Sequence, residues 1–99
     1  MRITAPLCEV QLIESYLLSM INYQTTVASK ASRIVESAKG RSVVDFALRR
    51  CHGPGAALLE ARAAYIAGCT GTSNVAAGKI FEIPIKGTMA HALVISYDV

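Results

Sequence analysis

The fold follows from residues 42–86, SVVDFALRRCHGPGAALLEARAAYIAGCTGTSNVAAGKIFEIPIK. The opening SVVDF is short and β-prone, which is typical of a buried strand. The alanine- and leucine-rich run GPGAALLEARAAYIAG predicts a helix, with Gly68 as its expected end. A short segment at 69–72, a small helix over 74–81 and a strand over 83–86 complete the pattern. This alternation predicts an α/β fold with about three parallel strands.

Two helices are predicted before these strands. Within 8–22, CEVQLIESYLLSMIN, apolar side chains recur at helical spacing. A second helix is predicted over 23–38, and Gly40 is well placed to end it because glycine adopts the left-handed cap conformation at little cost. Near the C-terminus, LVISY is compatible with either a helix or a strand.

The composition is apolar for a chain of 99 residues, with 53% hydrophobic and 17% charged residues. A small domain buries a smaller share of its surface than a large one, so apolar side chains are expected on the outside, where they mark interfaces. We therefore expect an obligate oligomer or a piece of a larger enzyme, and favour the piece. The longest apolar stretch, YLLSMI, is far below the roughly 18 residues that span a bilayer, and no signal peptide is evident.

The net charge and the cysteine spacing indicate which classes of binding partner and which cellular compartment to expect. The net charge is only +3 and the basic residues are scattered, which argues against nucleic-acid binding but is compatible with a small anionic substrate. Cys8, Cys51 and Cys69 have no paired or metal-like spacing, so we expect reduced thiols in a cytoplasmic protein with no membrane partner.

Two adjacent arginines, Arg49 and Arg50, follow the first predicted strand. In a parallel barrel the carboxyl ends of the strands form the active face. A guanidinium there can bind a carboxylate in bidentate fashion, and Phe46 can offer its face to an aromatic ring. The alternative is a core Phe46, with both arginines solvated or paired with Asp45 or Glu60.

Polar side chains at Thr72, Ser73 and Asn74 lie where the second strand passes into a helix. These residue types are natural helix caps, which is one explanation for them. The other is that their hydroxyls and backbone N–H groups hold an anionic or polar ligand. His91, taken alone, is more typical of a packed or surface histidine than of a catalytic one.

Taken in order, the motifs DFALRR, HGPGAALLEARAAYIAG, GTSNVAAGKIFEIP and GTMAH resemble nicotinate phosphoribosyltransferases, especially the shorter archaeal-type enzymes. The preceding QLIESYLLSMINYQTTVASKASRIV is similar to the helical pair before the barrel in that family. The resemblance implies a transferase (a glycosyltransferase and ATP-coupled ligase) of pyridine nucleotide biosynthesis and NAD salvage. Such enzymes join nicotinate to phosphoribosyl pyrophosphate to give nicotinate mononucleotide and pyrophosphate, with ATP and Mg²⁺ as cofactors.

The same resemblance implies an incomplete α/β barrel of the phosphoribosyltransferase type, with an extra domain. Residues 1–41 would belong to the extra domain and lead into the barrel, and residues 42–99 would form its first βα units. Because family members are several times longer, the chain is expected to be a central fragment without standalone catalysis. It would act as a homo-oligomer or with a complementing chain.

Site roles are also implied by the resemblance. Phe46 would stack on the pyridine ring, and Arg49 would bind the substrate in the barrel mouth. Ser73 would lie near the pyridine substituent beside Thr72. Related enzymes that prefer nicotinamide carry an aspartate at the position of Ser73, where it would repel a carboxylate, so Ser73 favours nicotinate.

His91 matches the histidine that many family members phosphorylate from ATP. A neutral imidazole is a competent nucleophile near neutral pH. Thr88 would supply N–H and hydroxyl donors to the same approach. Two alternatives stay open beside this interpretation: a fragment related to quinolinate phosphoribosyltransferase, and a non-enzymatic module that folds by oligomerising.

Overall fold

A computed structural model describes residues 2–97 as one long helix followed by alternating short strands and helices. In chain order the elements are α1 at Leu7–Ser37, β1 at Val44–Asp45, a 3-10 helix at Leu48–Arg50, α2 at Pro54–Ile66, β2 at Gly71–Thr72, α3 at Val75–Phe81 and α4 at His91–Ser96. The predicted α/β class is confirmed. No helix in the described part of the chain is both long and apolar enough to cross a bilayer.

The prediction of two helices before the sheet is wrong, because α1 is continuous over 31 residues. The sequence holds no glycine or proline between Leu7 and Ser37, so nothing there forces a break. Asn22 at the expected boundary is tolerated in a helix interior at a cost of about 0.7 kcal/mol or less. The chain leaves the helix where Lys39 and Gly40 adopt positive φ angles of 49° and 82°, which confirms the stop predicted at Gly40.

The core lies between α1 and α2 and is built from small side chains. Four alanines of α2 are at most 3% exposed: Ala57, Ala61, Ala63 and Ala64. Ala31 of α1 and Cys69 pack with Ala64, and Val35, Val43 and Ala67 surround them. The helix ends before Gly68, whose φ is 110°, as the sequence predicted. Small side chains therefore let the two helix backbones approach closely.

The sheet is parallel, with Val44 opposite Gly71 and Asp45 opposite Thr72. The third predicted strand is reduced to a single parallel bridge between Thr72 and Ile85. The residue before Ile85 is Pro84, which accepts a hydrogen bond from the Thr72 N–H but has no N–H of its own to extend the ladder. Beyond Thr72 the backbone turns into α3, so pairing ends on that side as well.

Large apolar side chains remain on the surface, as the composition predicted. Leu12 is 83% exposed and Tyr97 is 82% exposed. The radius of gyration is 17.3 Å, against about 13 Å for a compact domain of 100 residues. The molecule is elongated because α1 has 31 residues while α2, which packs against it, has only 13.

Gly71 offers a test of this close packing. A Cβ atom at Gly71 would lie 2.6 Å from the Pro84 carbonyl oxygen and 2.9 Å from Lys86 Cγ. Because a backbone oxygen cannot rotate away, we expect Gly71→Ala to lower the free energy of unfolding by about 1–3 kcal/mol. Urea denaturation of the 99-residue chain measures this change. Gly55→Ala is the matched control, since a Cβ there meets nothing within 4 Å; equal losses in both variants would contradict the packing.

Candidate active site at the strand ends

The carboxyl ends of β1 and β2 lie side by side. Asp45 and Thr72 are paired, so Phe46 and Ser73 are the next residues on the two neighbouring strands. The Ser73 N–H donates to the Asp45 carbonyl over 2.8 Å, which joins the two ends just beyond the pairing. Arg49 follows within the 3-10 helix. The fold thus gathers Phe46, Arg49 and Ser73 at one edge of the sheet.

An open cavity of about 350 Å³ adjoins this edge. Its lining combines Ser73 with residues from the 3-10 helix and the first turns of α2 and α3: Leu48, Pro54, Leu58, Asn74, Val75 and Ala76. The volume falls within the range of about 300–1,000 Å³ that is usual for ligand sites. Phe46 is 45% exposed and Arg49 is exposed, so the alternative of a core phenylalanine does not hold, although neither residue lines the cavity.

A buried network of polar side chains supports the strand ends. The Asp45 carboxylate accepts the Thr72 hydroxyl proton at Oδ2 over 2.7 Å and the Ala47 N–H at Oδ1 over 2.8 Å. Thr72 Oγ1 in turn accepts the Asn74 N–H over 3.1 Å. Asp45, Thr72 and Asn74 are 8%, 1% and 4% exposed. The hydroxyl of Thr72 is thereby shared between two internal partners.

The capping interpretation is confirmed at Asn74, whose side-chain oxygen accepts the Ala77 N–H over 3.1 Å at the start of α3. This is the usual way in which an asparagine satisfies a donor at a helix N-terminus. Val75 and Ala76 occupy the first two positions of α3, where backbone N–H groups have no acceptor within the helix. Both of these residues line the cavity.

Thr88 and His91 lie farther along the chain, after the bridge at Ile85. Both are exposed, and neither lines the cavity. His91 is the first residue of α4, so the LVISY segment, which the sequence left open, is largely helical. The carboxyl ends of β1 and β2 are followed by Phe46, Arg49 and Ser73. The next parallel segment, which pairs through Ile85, is followed by Thr88 and His91.

Glu60, which the sequence suggested only as a possible partner of the arginines, lies beside Asp45, and sequence reasoning missed that position. Its carboxyl group lies within hydrogen-bonding reach of Asp45, and its Oε2 atom is buried without a partner. Burial, the nearby charge of Asp45 and the hydrogen bond with Asp45 raise the pKa of Glu60 to about 7. The available signal was one carboxylate at the centre of an otherwise apolar, alanine-rich helix.

Three weaker acids surround the two carboxyl groups. The Tyr23 hydroxyl donates to the Ala56 carbonyl over 3.2 Å. Burial, followed by the influence of Cys51 and Glu60, raises the pKa of Tyr23. Burial also raises the pKa of the Cys51 thiol, with Glu60 as the second cause, and that of Cys69, with Asp45 as the second cause. All three groups are therefore neutral at pH 7.

The Asn74 cap can be tested separately from any activity. We expect Asn74→Ala to lower the free energy of unfolding by about 1 kcal/mol, because the Ala77 N–H loses its acceptor. Asn22→Ala makes the same chemical change at an exposed position inside α1, where alanine is a better helix former. Urea denaturation of the two variants should show a loss only at Asn74. A loss at Asn22 alone would contradict the assigned cap.

The chain is similar to nicotinate phosphoribosyltransferases over nearly its whole length. It is 53% identical to the enzyme of that name from Bacillus subtilis over 97 residues, covering 98% of this chain and 20% of the relative. It is 48% identical to nicotinate phosphoribosyltransferase pncB2 of Mycobacterium tuberculosis, covering 98% of this chain and 21% of the relative. No protein-family model matches the chain.

The structure is similar to a solved member of the same group. The crystal structure of human nicotinic acid phosphoribosyltransferase matches with a TM-score of 0.81 and 36% identity, covering 88% of this chain and 18% of that chain. The matched 88% of this chain therefore has the same fold as the corresponding part of that chain. The chain spans about a fifth of the length of the relatives it matches.

Proposed function

Because this chain belongs to the nicotinate phosphoribosyltransferase family as one segment of it, we propose that the protein containing it joins nicotinate to phosphoribosyl pyrophosphate. The products are nicotinate mononucleotide and pyrophosphate, in NAD salvage. The observation that carries the proposal is the gathering of Phe46, Arg49 and Ser73 at one strand edge beside an open cavity. Nicotinate is a flat aromatic ring with a carboxylate, and it needs an aromatic face, a cation and hydrogen-bond donors.

Phe46 and Arg49 serve the ring and its charge. Phe46 has close to half of its surface exposed at the strand end, so its face is available for stacking on a pyridine ring. The exposed guanidinium of Arg49 binds the substrate carboxylate in bidentate fashion. Such a charge-assisted contact contributes on the order of 1.5–3 kcal/mol.

Ser73 and the start of α3 complete the polar side of the cavity. In this proposal the Ser73 hydroxyl contacts the pyridine substituent, and the N–H groups of Val75 and Ala76, which line the same cavity, are donors for negative charge. Thr72 supports the site indirectly, because the hydrogen bonds of its buried hydroxyl with Asp45 and Asn74 fix the turn that contains Ser73.

His91 is proposed as the histidine that accepts a phosphoryl group from ATP, with Thr88 as a donor beside it. The exposed imidazole at the start of α4 is open to a nucleotide. Within residues 2–97 no group of three or more His, Cys, Asp and Glu side chains is placed to hold a metal ion. These residues alone do not fit a Mg²⁺ site, so no step here is assigned to Mg²⁺.

The division of the chain follows the same proposal. Residues 1–41, with α1, belong to an extra domain and lead into an incomplete barrel that begins with the βα units of 42–99. Apolar side chains on the N-terminal half of α1, including Leu7 at 74% and Leu12 at 83% exposure, are then covered by other parts of the protein or by a second subunit. In this proposal the catalytic protein is longer than these 99 residues, as the relatives are.

Arg49 provides the first test, in a chimera where this chain replaces the matching segment of the Bacillus subtilis relative. We expect Arg49→Ala to reduce kcat/KM for nicotinate at least about tenfold, because the substrate carboxylate loses its cation. Release of pyrophosphate that depends on nicotinate and phosphoribosyl pyrophosphate measures the rate. Arg50→Ala, one residue along the same 3-10 helix, is the control. Unchanged kinetics at Arg49 would remove it from the site, and an inactive but folded parent chimera would overturn the proposed function.

Ser73 provides a second test, of specificity. In the same chimera we expect Ser73→Asp to lower kcat/KM for nicotinate by about tenfold or more relative to nicotinamide, since a carboxylate beside the substrate carboxylate is repulsive. Ser73→Ala removes the hydroxyl without adding charge and should shift the preference much less. The ratio of the two substrates' kcat/KM values is the measurement. If both variants change it equally, charge at this position does not select the acid.

A further inference from the structure

Asp45 is the point at which the two strand ends are tied together. Its side chain receives one hydrogen bond from each side, from the Ala47 N–H and from the Thr72 hydroxyl, and its carbonyl receives a third from the Ser73 N–H. Ala47 belongs to the turn between Phe46 and the 3-10 helix of Arg49. One buried residue therefore orients both segments that carry the proposed nicotinate contacts.

Glu60 approaches this carboxylate from α2, fifteen residues along the chain. Two ionised carboxylates in contact repel one another, and neither offers a donor. Oε2 of Glu60 is buried without a hydrogen-bond partner, and Asp45 nearby offers only acceptors. A proton on the Glu60 carboxyl group would remove the repulsion and supply the missing donor. Protonated Glu60 has an O–H group to donate, and each Asp45 oxygen keeps a second lone pair to accept it.

We propose that Asp45 is a positioning residue of the nicotinate site and that protonated Glu60 holds the Asp45 carboxylate in place by donating a hydrogen bond to it. The inference rests on the proposed function, because it deepens the same site. It assigns neither residue to the reacting atoms. Its consequence is that nicotinate binding depends on a proton buried behind the strand ends.

Among the titratable groups that face this pair, Glu60 is the one whose protonation changes near pH 7. Tyr23 of α1, Cys51 and Cys69 face the pair, and the pKa of each is raised, so these groups stay neutral as the pH passes through 7. The pKa of Glu60 is raised from 4.5 to about 7 in the folded chain. The stabilising contribution of protonated Glu60 is thus complete below about 4.5, declines as the pH rises from there, and is lost as the pH rises through about 7.

Activity should follow the same proton. Above about pH 7 Glu60 becomes ionised, the two carboxylates repel, and the turns carrying Phe46, Arg49 and Ser73 loosen. We expect the KM for nicotinate in the chimera to rise about fivefold between about pH 6 and about pH 8, with a smaller change in kcat. Weaker binding with nearly unchanged turnover is the mark of a residue that positions the substrate.

Glu60→Gln is the decisive variant, because its amide donates to Asp45 at every pH. Its KM should be flat over the range in which that of the parent rises. Asp45→Asn should raise KM about tenfold at every pH, since an amide oxygen replaces two carboxylate acceptors. Glu36→Gln, an exposed glutamate of α1, makes the same change as Glu60→Gln on the surface and should keep the parent's pH response.

Carboxyl ¹³C NMR of the 99-residue chain supplies a readout independent of turnover. The Glu60 signal should titrate near 7, and in Asp45→Asn its midpoint should fall part of the way toward 4.5, because burial, the largest cause, remains while the charge of Asp45 is gone. A midpoint near 4.5 in the parent chain overturns the inference. An active chimera whose Glu60→Gln variant keeps the parent's pH response overturns this inference alone, whereas a folded but inactive parent chimera overturns the proposed function as well.

Discussion

The hydrogen bond between the Asp45 carboxylate and the Thr72 hydroxyl, 2.7 Å long and buried, joins the two strand ends on which the remaining site geometry depends. The paired strands are only two residues each, so the backbone ladder alone is short. The side-chain bond extends the connection just where the chain leaves the sheet. Thr72 Oγ1 also accepts a hydrogen bond from the N–H of Asn74, and Asn74 is the N-cap of α3. The strand ends are thus connected by hydrogen bonds between polar groups rather than by a large apolar core.

The alanines of α2 make this arrangement possible. With Ala57, Ala61 and Ala64 almost fully buried, α2 lies close to both α1 and the sheet. That proximity places a glutamate of α2 against a strand carboxylate. Placing two acids side by side away from water is costly unless one carries a proton, and burial together with the nearby Asp45 raises the pKa of Glu60 to about 7. Packing and protonation are consequently coupled at the base of the site.

Much apolar surface is exposed in this chain, whose relatives are longer. The chain spans about a fifth of the length of the relatives it matches, and in the proposed function the rest of such a protein covers these faces. The strand edge, the cavity and the exposed half of α1 are such faces in this structure. In the proposed function, the nicotinate side of the reaction is assigned to this segment, and the ribose-phosphate and pyrophosphate contacts come from elsewhere in the protein.

Local patterns in the sequence were enough to determine α2, α3 and the helix ends at Gly40 and Gly68, because capping and glycine conformation are properties of neighbouring residues. The order of the motifs along the chain was enough to find the similarity to nicotinate phosphoribosyltransferases. The continuity of α1 and the shortening of the third strand to one bridge depended on weaker local preferences that several conformations satisfy. Only the tertiary structure brought Glu60 against Asp45 and set Ser73 at the cavity. These residues are far apart in the chain and come together through helix packing, which no spacing in the sequence predicts.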